Sequence, residues 1–156
     1  MSDRICIMRA GRIVQTGSPR ALYDAPVNRY VADFVGKSNF FAGTVLATTG
    51  AVASLSVPGL PPVQGQMTAP LTPGQTAVAS LRPEQIALTA TATATSLPVE
   101  IRARIFLGEH TEYLVHSAAV GPFLILVPRQ AELAVLDPGA MAHAGWRAGA
   151  ALILNH

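Results

Sequence analysis

Hydrophobic positions in this chain recur mostly at every second residue or in short runs, the periods of half-buried and fully buried strands. The clearest case is Val99 to Phe106. Val99, Ile101, Ala103 and Ile105 fall on one face, with Glu100, Arg102 and Arg104 on the other. Gly108 then turns the chain, and Thr111 to His116 returns as the partner strand. Phe41 to Leu46 and Val52 to Val57 flank a Thr49-Gly50 turn. Ala77 to Leu81 is a further strand, and Ile86 to Leu88 a short one after Arg82-Pro83-Glu84. Phe123 to Val127 is a continuous apolar run, which predicts burial on both faces, and Ala150 to Leu154 closes the chain as a strand. Pro58 to Gly74 holds five prolines and three glycines and reads as a long loop or irregular edge. Thr89 to Ser96 alternates Thr and Ala as a low-complexity connection, and Arg129 to Leu136 fits a short helix or a strand equally. Short strands separated by turn signals about every ten residues predict a small β-barrel or sandwich.

The first 40 residues have a different texture. Ile5 to Met8 and Ile13 to Gln15, around Ala10-Gly11, predict a hairpin. Ser18 is placed to cap a helix starting at Pro19, whose missing N–H costs nothing there, and Pro26 stops that helix. Asn28 is placed to cap a second helix that carries Val31, Phe34 and Val35 on one face and ends at Gly36. Cys6, flanked by Ile5 and Ile7, reads as a small buried hydrophobe rather than a reactive thiol. The predicted layout is a hairpin and two short helices over residues 1–37, then a mainly β domain over residues 38–156.

Composition narrows the function classes. Half the residues are hydrophobic and 13% are charged, enough apolar material for a core and unlike a disordered tail. The net charge is +2, and the basic residues, all Arg except Lys37, are scattered. A nucleic-acid binder gathers them on one face, so no nucleic-acid partner is expected. A single cysteine excludes an internal disulfide and a Cys-based metal cluster. No apolar run reaches the roughly 20 residues of a membrane-spanning helix, so a cytoplasmic location is expected.

One set of residues carries more information than these patterns. Ser2-Asp3-Arg4-Ile5, Met8, Gly11-Arg12-Ile13-Val14-Gln15, Gly17 and Pro19 run into Leu22-Tyr23-Asp24 and Pro26. Asn28 to Gly36 and Ser38-Asn39-Phe40 continue the series. This stretch resembles the end of the ATPase core in ATP-binding subunits of ABC importers, where it leads into a transport-associated OB domain. The polyamine (spermidine/putrescine) type is the nearest subgroup, with ferric-ion and sugar importers beside it. Leu81-Arg82-Pro83-Glu84 with Ile86 and Leu88, and Ile105 to Glu109 with Thr111 and Tyr113 to Val115, are similar to two later segments of that domain. Gly145-Trp146 and Leu152 depart from the family's usual ending. The resemblance implies an OB-like barrel and a homodimer formed through it. It also implies an ATPase core and permease as partners, attachment to the inner face of the membrane, and a dimerising or regulatory role.

Candidate chemistry is sparse. The phosphate loop GxxxxGK[ST] is absent: Lys37 precedes Ser38 but lacks the upstream glycine. The family's signature motif and its run ending in Asp-Glu are missing too, and its switch histidine would precede Met1. The chain therefore reads as non-enzymatic, with no catalytic residue, cofactor or metal, and as a module, a fragment or a truncated product. His110, Glu112 and His116 share a strand face beside Glu109, but six residues along a strand is about 20 Å, too far for two His to share one ion. Ser80 and Ser117 lack a His/Asp partner. Arg82 and Glu84, two apart, read as an ion pair or a domain contact, with a direct ligand site as the other option. Arg102, Arg104 and Glu109 complete the set of possible ligand or interface contacts. A free-standing domain binding oxyanions or polyamines against these arginines is the alternative function. Trp146 reads as a core or interface anchor.

Overall fold

The computed structural model describes residues 3–131 and 136–156. It begins with a two-stranded antiparallel sheet, β1 (Ile5–Arg9) and β2 (Arg12–Gly17). Two short helices follow, α1 (Pro19–Asp24) and α2 (Arg29–Val35). Ser18 Oγ accepts from Ala21 N and Asn28 Oδ1 from Val31 N, so both predicted caps are in place. Ile7, Leu22 and Val31 are buried together as a small core, with Ile5, Val14, Val27, Tyr30 and Val35 around them.

Two expectations for this lead fail for reasons of periodicity. Cys6 is exposed: the strand alternation that turns Ile7 inward turns Cys6 and Met8 outward. Phe34 is 65% exposed, because Val31 and Val35, a full turn apart, take the inner face of α2. Phe34 instead lies beside the Tyr30 ring.

The rest of the chain is a closed barrel and an open sheet. The barrel contains β3 (Asn39–Thr49), β4 (Val52–Ser56), β5 (Val63–Met67), β6 (Thr76–Leu81) and a last strand, Ala151–Asn155. That last strand pairs in parallel with β5 and antiparallel with β6, closing the ring. β5 corrects the prediction of a loop over residues 58–74. Gly65 is the reason it fits: an added Cβ would lie 2.4 Å from the Ala151 carbonyl oxygen, so only glycine allows this parallel neighbour.

The open sheet has the order β10-β9-β8-β11-β7, using β7 (Ala87–Thr89), β8 (Leu97–Phe106), β9 (His110–Ser117), β10 (Gly121–Pro128) and β11 (Met141–Gly145). The closing barrel strand is therefore β12. A 3-10 turn, Pro83–Gln85, lies between β6 and β7, and a second, Arg129–Ala131, follows β10. Of the ambiguous segment 129–136, residues 132–135 lie outside the described residues.

Two strand expectations in this sheet are corrected. Between Ile101 and Ala103 the register with β9 shifts by one residue, a bulge at Arg102. Beyond it Ala103 sits opposite Leu114 and Ile105 opposite Glu112, so Ile105 is exposed rather than in line with Val99 and Ile101. β10 is an edge strand that buries Phe123 and Ile125 while Leu124, Leu126 and Val127 are half-buried, not enclosed on both faces.

One apolar cluster runs through the barrel and the inner face of the sheet. Phe41 of β3 meets Phe123 of β10 edge-on, with ring centroids 5.7 Å apart, and stacks on Trp146 at 6.2 Å. Trp146 is thus a core anchor, as expected. The lead meets the barrel's outer wall where Ala32 of α2 packs on Val78 of β6 and Leu154 of β12.

Candidate functional site

The densest polar contacts between lead and β body gather around Arg82. Arg82 directly follows β6 and precedes Pro83, which diverts the chain into the 3-10 turn, so Arg82 and Glu84 do not share a strand face. The two do not pair. Arg82 is 7% exposed, and its guanidinium points back into the lead. Nη1 donates to the Lys37 carbonyl at 3.1 Å and the Ala32 carbonyl at 3.5 Å, and Nη2 donates to the Tyr23 carbonyl at 3.3 Å. The same guanidinium lies 4.0 Å from the Tyr23 ring centroid.

A buried charge without a carboxylate is costly unless every donor is engaged. Here the Tyr23 and Ala32 carbonyls come from the last turns of α1 and α2, where helix geometry leaves carbonyls without helical partners, and the Lys37 carbonyl lies just beyond α2. Gly36 makes room: a Cβ there would sit 3.2 Å from Arg82 Nη1. Glu84 meets the same tyrosine at its hydroxyl, accepting a hydrogen bond from it. Burial first, and then the bond to Glu84 and its negative charge, push the Tyr23 phenol above its ordinary value, while the Arg82 charge pulls the other way.

Two further contacts extend the junction into the open sheet. Lys37 Nζ lies 2.7 Å from Glu112 Oε2 on β9. The Asn39 carboxamide donates to the Leu124 carbonyl at 2.8 Å and accepts from Leu124 N at 2.9 Å. An amide used in this way replaces a neighbouring strand on the β10 edge, which would otherwise leave its N–H and C=O open. Ser38 and Ser80 hydroxyls, 2.6 Å apart, close the gap between.

The remaining candidates stand apart from this junction. Arg102, at the bulge, lies 3.6 Å from Glu100. Arg104, past the bulge, bonds Asp137 at 2.9 Å and the Leu136 carbonyl at 3.3 Å. Glu109 is exposed in the β8–β9 turn, its carbonyl accepting from Arg129 N. Only Arg82 and Glu84 of the five are brought together, and they meet through Tyr23. Sequence reasoning missed Tyr23, Lys37 and Asn39 as contacts. Tyr23 and Asn39 do fall in the stretch that carries the family resemblance, which was the available signal. Among the described residues no group of three His, Cys, Asp or Glu side chains is placed to hold a metal ion, and no helix is long and apolar enough to cross a membrane.

Barrel and flanking sheet form an OB-like fold, and residues 79–154 match the model of the TOBE domain. A spermidine/putrescine import ATP-binding protein, PotA, of Rubrobacter xylanophilus is 33% identical over 99% of this chain and 41% of its own length. PotA of Pseudomonas aeruginosa strain UCBPP-PA14 is 33% identical over 94% of this chain and 42% of its own. The Fe(3+) ions import ATP-binding protein FbpC 1 of Rhizobium meliloti is 38% identical over 80% of this chain and 34% of its own. The TOBE match and the alignment with ABC importer ATP-binding subunits over most of the chain are consistent with the C-terminal, TOBE-bearing region of such a subunit. The chain spans between about a third and two-fifths of the length of these curated relatives. The solved structure of a cytoplasmic molybdate-binding protein, ModG, superposes with a TM-score of 0.63 at 20% identity, covering 76% of this chain and 96% of that one, a likeness of fold.

Proposed function

We propose that this chain is the dimerising and regulatory module of the ATP-binding subunit of an importer of small solutes, with polyamines as the solute class. The observation that carries the reading is the Arg82 junction. A module that restrains or follows an ATPase core needs a stiff connection to it, and a buried guanidinium bonded to three lead carbonyls is stiffer than a solvated linker. On this reading residues 1–37 are the end of the ATPase core and residues 38–156 the transport-associated domain. Arg82 and Glu84 are contacts between the two. The names of the PotA relatives support the polyamine class.

The chain's own contribution is binding, without catalysis or cofactor. Its partners are a second copy, an ATPase core and a permease at the inner face of the membrane. Exposed apolar side chains on the lead, Met8, Ile13 and Phe34, support a covered surface there. Light scattering on the full chain at micromolar concentration tests the dimerising role: a dimer mass is expected, and a stable monomer overturns it. The alternative, a free-standing domain holding oxyanions or polyamines against Arg82, Arg102 or Arg104, is the weaker reading, because each arginine already has protein partners. Calorimetric titration with molybdate, phosphate and spermidine is expected to give no binding at these arginines, and saturable heat abolished by Arg104→Ala would favour that alternative.

A further inference from the structure

A cavity of about 300 Å³ opens where the barrel meets the open sheet. Its apolar walls are Leu60, Pro61, Pro62, Leu97 and Trp146, and among the described residues no ionisable side chain lines it. The volume sits at the lower end of what holds a small organic molecule, roughly 300–1,000 Å³. Trp146 has one ring system parallel to it, Phe41, at an interplanar angle of 14°, so the indole is held at a fixed tilt from the core side while it also lines the cavity.

Three hydrogen-bonded turns frame the opening. Leu60 N donates to the Val57 carbonyl, Ser96 N to the Thr93 carbonyl, and Ala150 N to the Arg147 carbonyl. The Ser96 hydroxyl is spent inside its own turn, bonding both Thr93 N and the Thr93 carbonyl. Gln64 and Thr95, both exposed, also line the cavity, and neither side chain bonds another described residue. The site therefore offers a flat aromatic wall, aliphatic sides, one amide donor–acceptor pair and one hydroxyl, in a frame that is already formed.

We propose that this cavity binds a small, uncharged, planar heterocycle whose polar edge meets Gln64 and Thr95 and whose ring lies against Trp146. Polyamines and oxyanions are the wrong chemistry for it: an uncharged lining gives a buried charge no partner. The inference is independent of the solute that the importer carries.

Trp146 is the sole tryptophan, so its fluorescence in the full chain reports the site directly. Titration with uracil and with nicotinamide is expected to give a saturable change for at least one, while spermidine and phosphate give none. Gln64→Ala should weaken that binding about fivefold, the loss of one hydrogen bond. Pro62→Arg, at an exposed position on the mouth, should abolish it with thermal unfolding unchanged. Three results would overturn the proposal: no saturable change with either heterocycle, an equal response in Pro62→Arg, or saturable binding of spermidine or phosphate in their place.

Discussion

The lead and the barrel solve the same problem, burying apolar surface, by unlike means. The barrel closes on itself, and its buried side chains merge with those of the open sheet into one cluster. Among the described residues the lead's own core encloses Ile7, Leu22 and Val31, too little to hold a hairpin and two helices of six and seven residues in place. The lead is fastened from outside, by Ala32 on the barrel wall and by polar contacts from Arg82, Glu84 and Glu112. Steric fit therefore governs the barrel, and hydrogen-bond satisfaction governs the lead.

The largest effect should come from breaking the barrel's fit. Gly65→Ala puts a methyl against the Ala151 carbonyl and is expected to cost about 3 kcal/mol, read as a lower urea midpoint for the whole chain. Arg82→Ala removes the donors to three carbonyls and should cost about 2 kcal/mol. Its signature is local: limited proteolysis should cut near Lys37 while the barrel survives. Asn39→Ala uncovers the N–H and C=O of Leu124 and should cost about 1–2 kcal/mol, with faster amide exchange along β10.

The smallest effect is the alkaline one. The Tyr23 hydroxyl titrates above its ordinary value of 10.0 in the folded chain. Its stabilising contribution is therefore complete below pH 10, and it is lost as pH rises through the higher folded value. Wild type should lose stability in that range relative to Tyr23→Phe, measured by urea unfolding across the alkaline series.

Much of this was legible before any coordinates. Ser18, Pro19, Asn28 and Pro26 act locally, and the helices begin and end where those residues dictate. The β8–β9 hairpin declared itself through alternation and Gly108. What escaped depends on distant partners. β5, Val-Gln-Gly-Gln-Met, has weak strand character and exists because β4 and β12 flank it. β11, Met-Ala-His-Ala-Gly, is likewise made by pairing with β7 and β8. The bulge at Arg102 leaves no mark in a pattern that alternates cleanly through it. Arg82 and Glu84 were legible as a pair of interest, but their meeting at Tyr23, some 60 residues earlier, was not.

Amide hydrogen exchange on the full chain and on Arg82→Met, which keeps the volume and removes the donors, tests the fastening most directly. The account predicts that Leu22, Val31 and Ala32 in the helices exchange about tenfold faster or more, since one net hydrogen bond is worth about fivefold and three are lost. Ala79 and Ile153 in the barrel should keep their protection. Unchanged protection in both regions, or an equal loss in both, would contradict it.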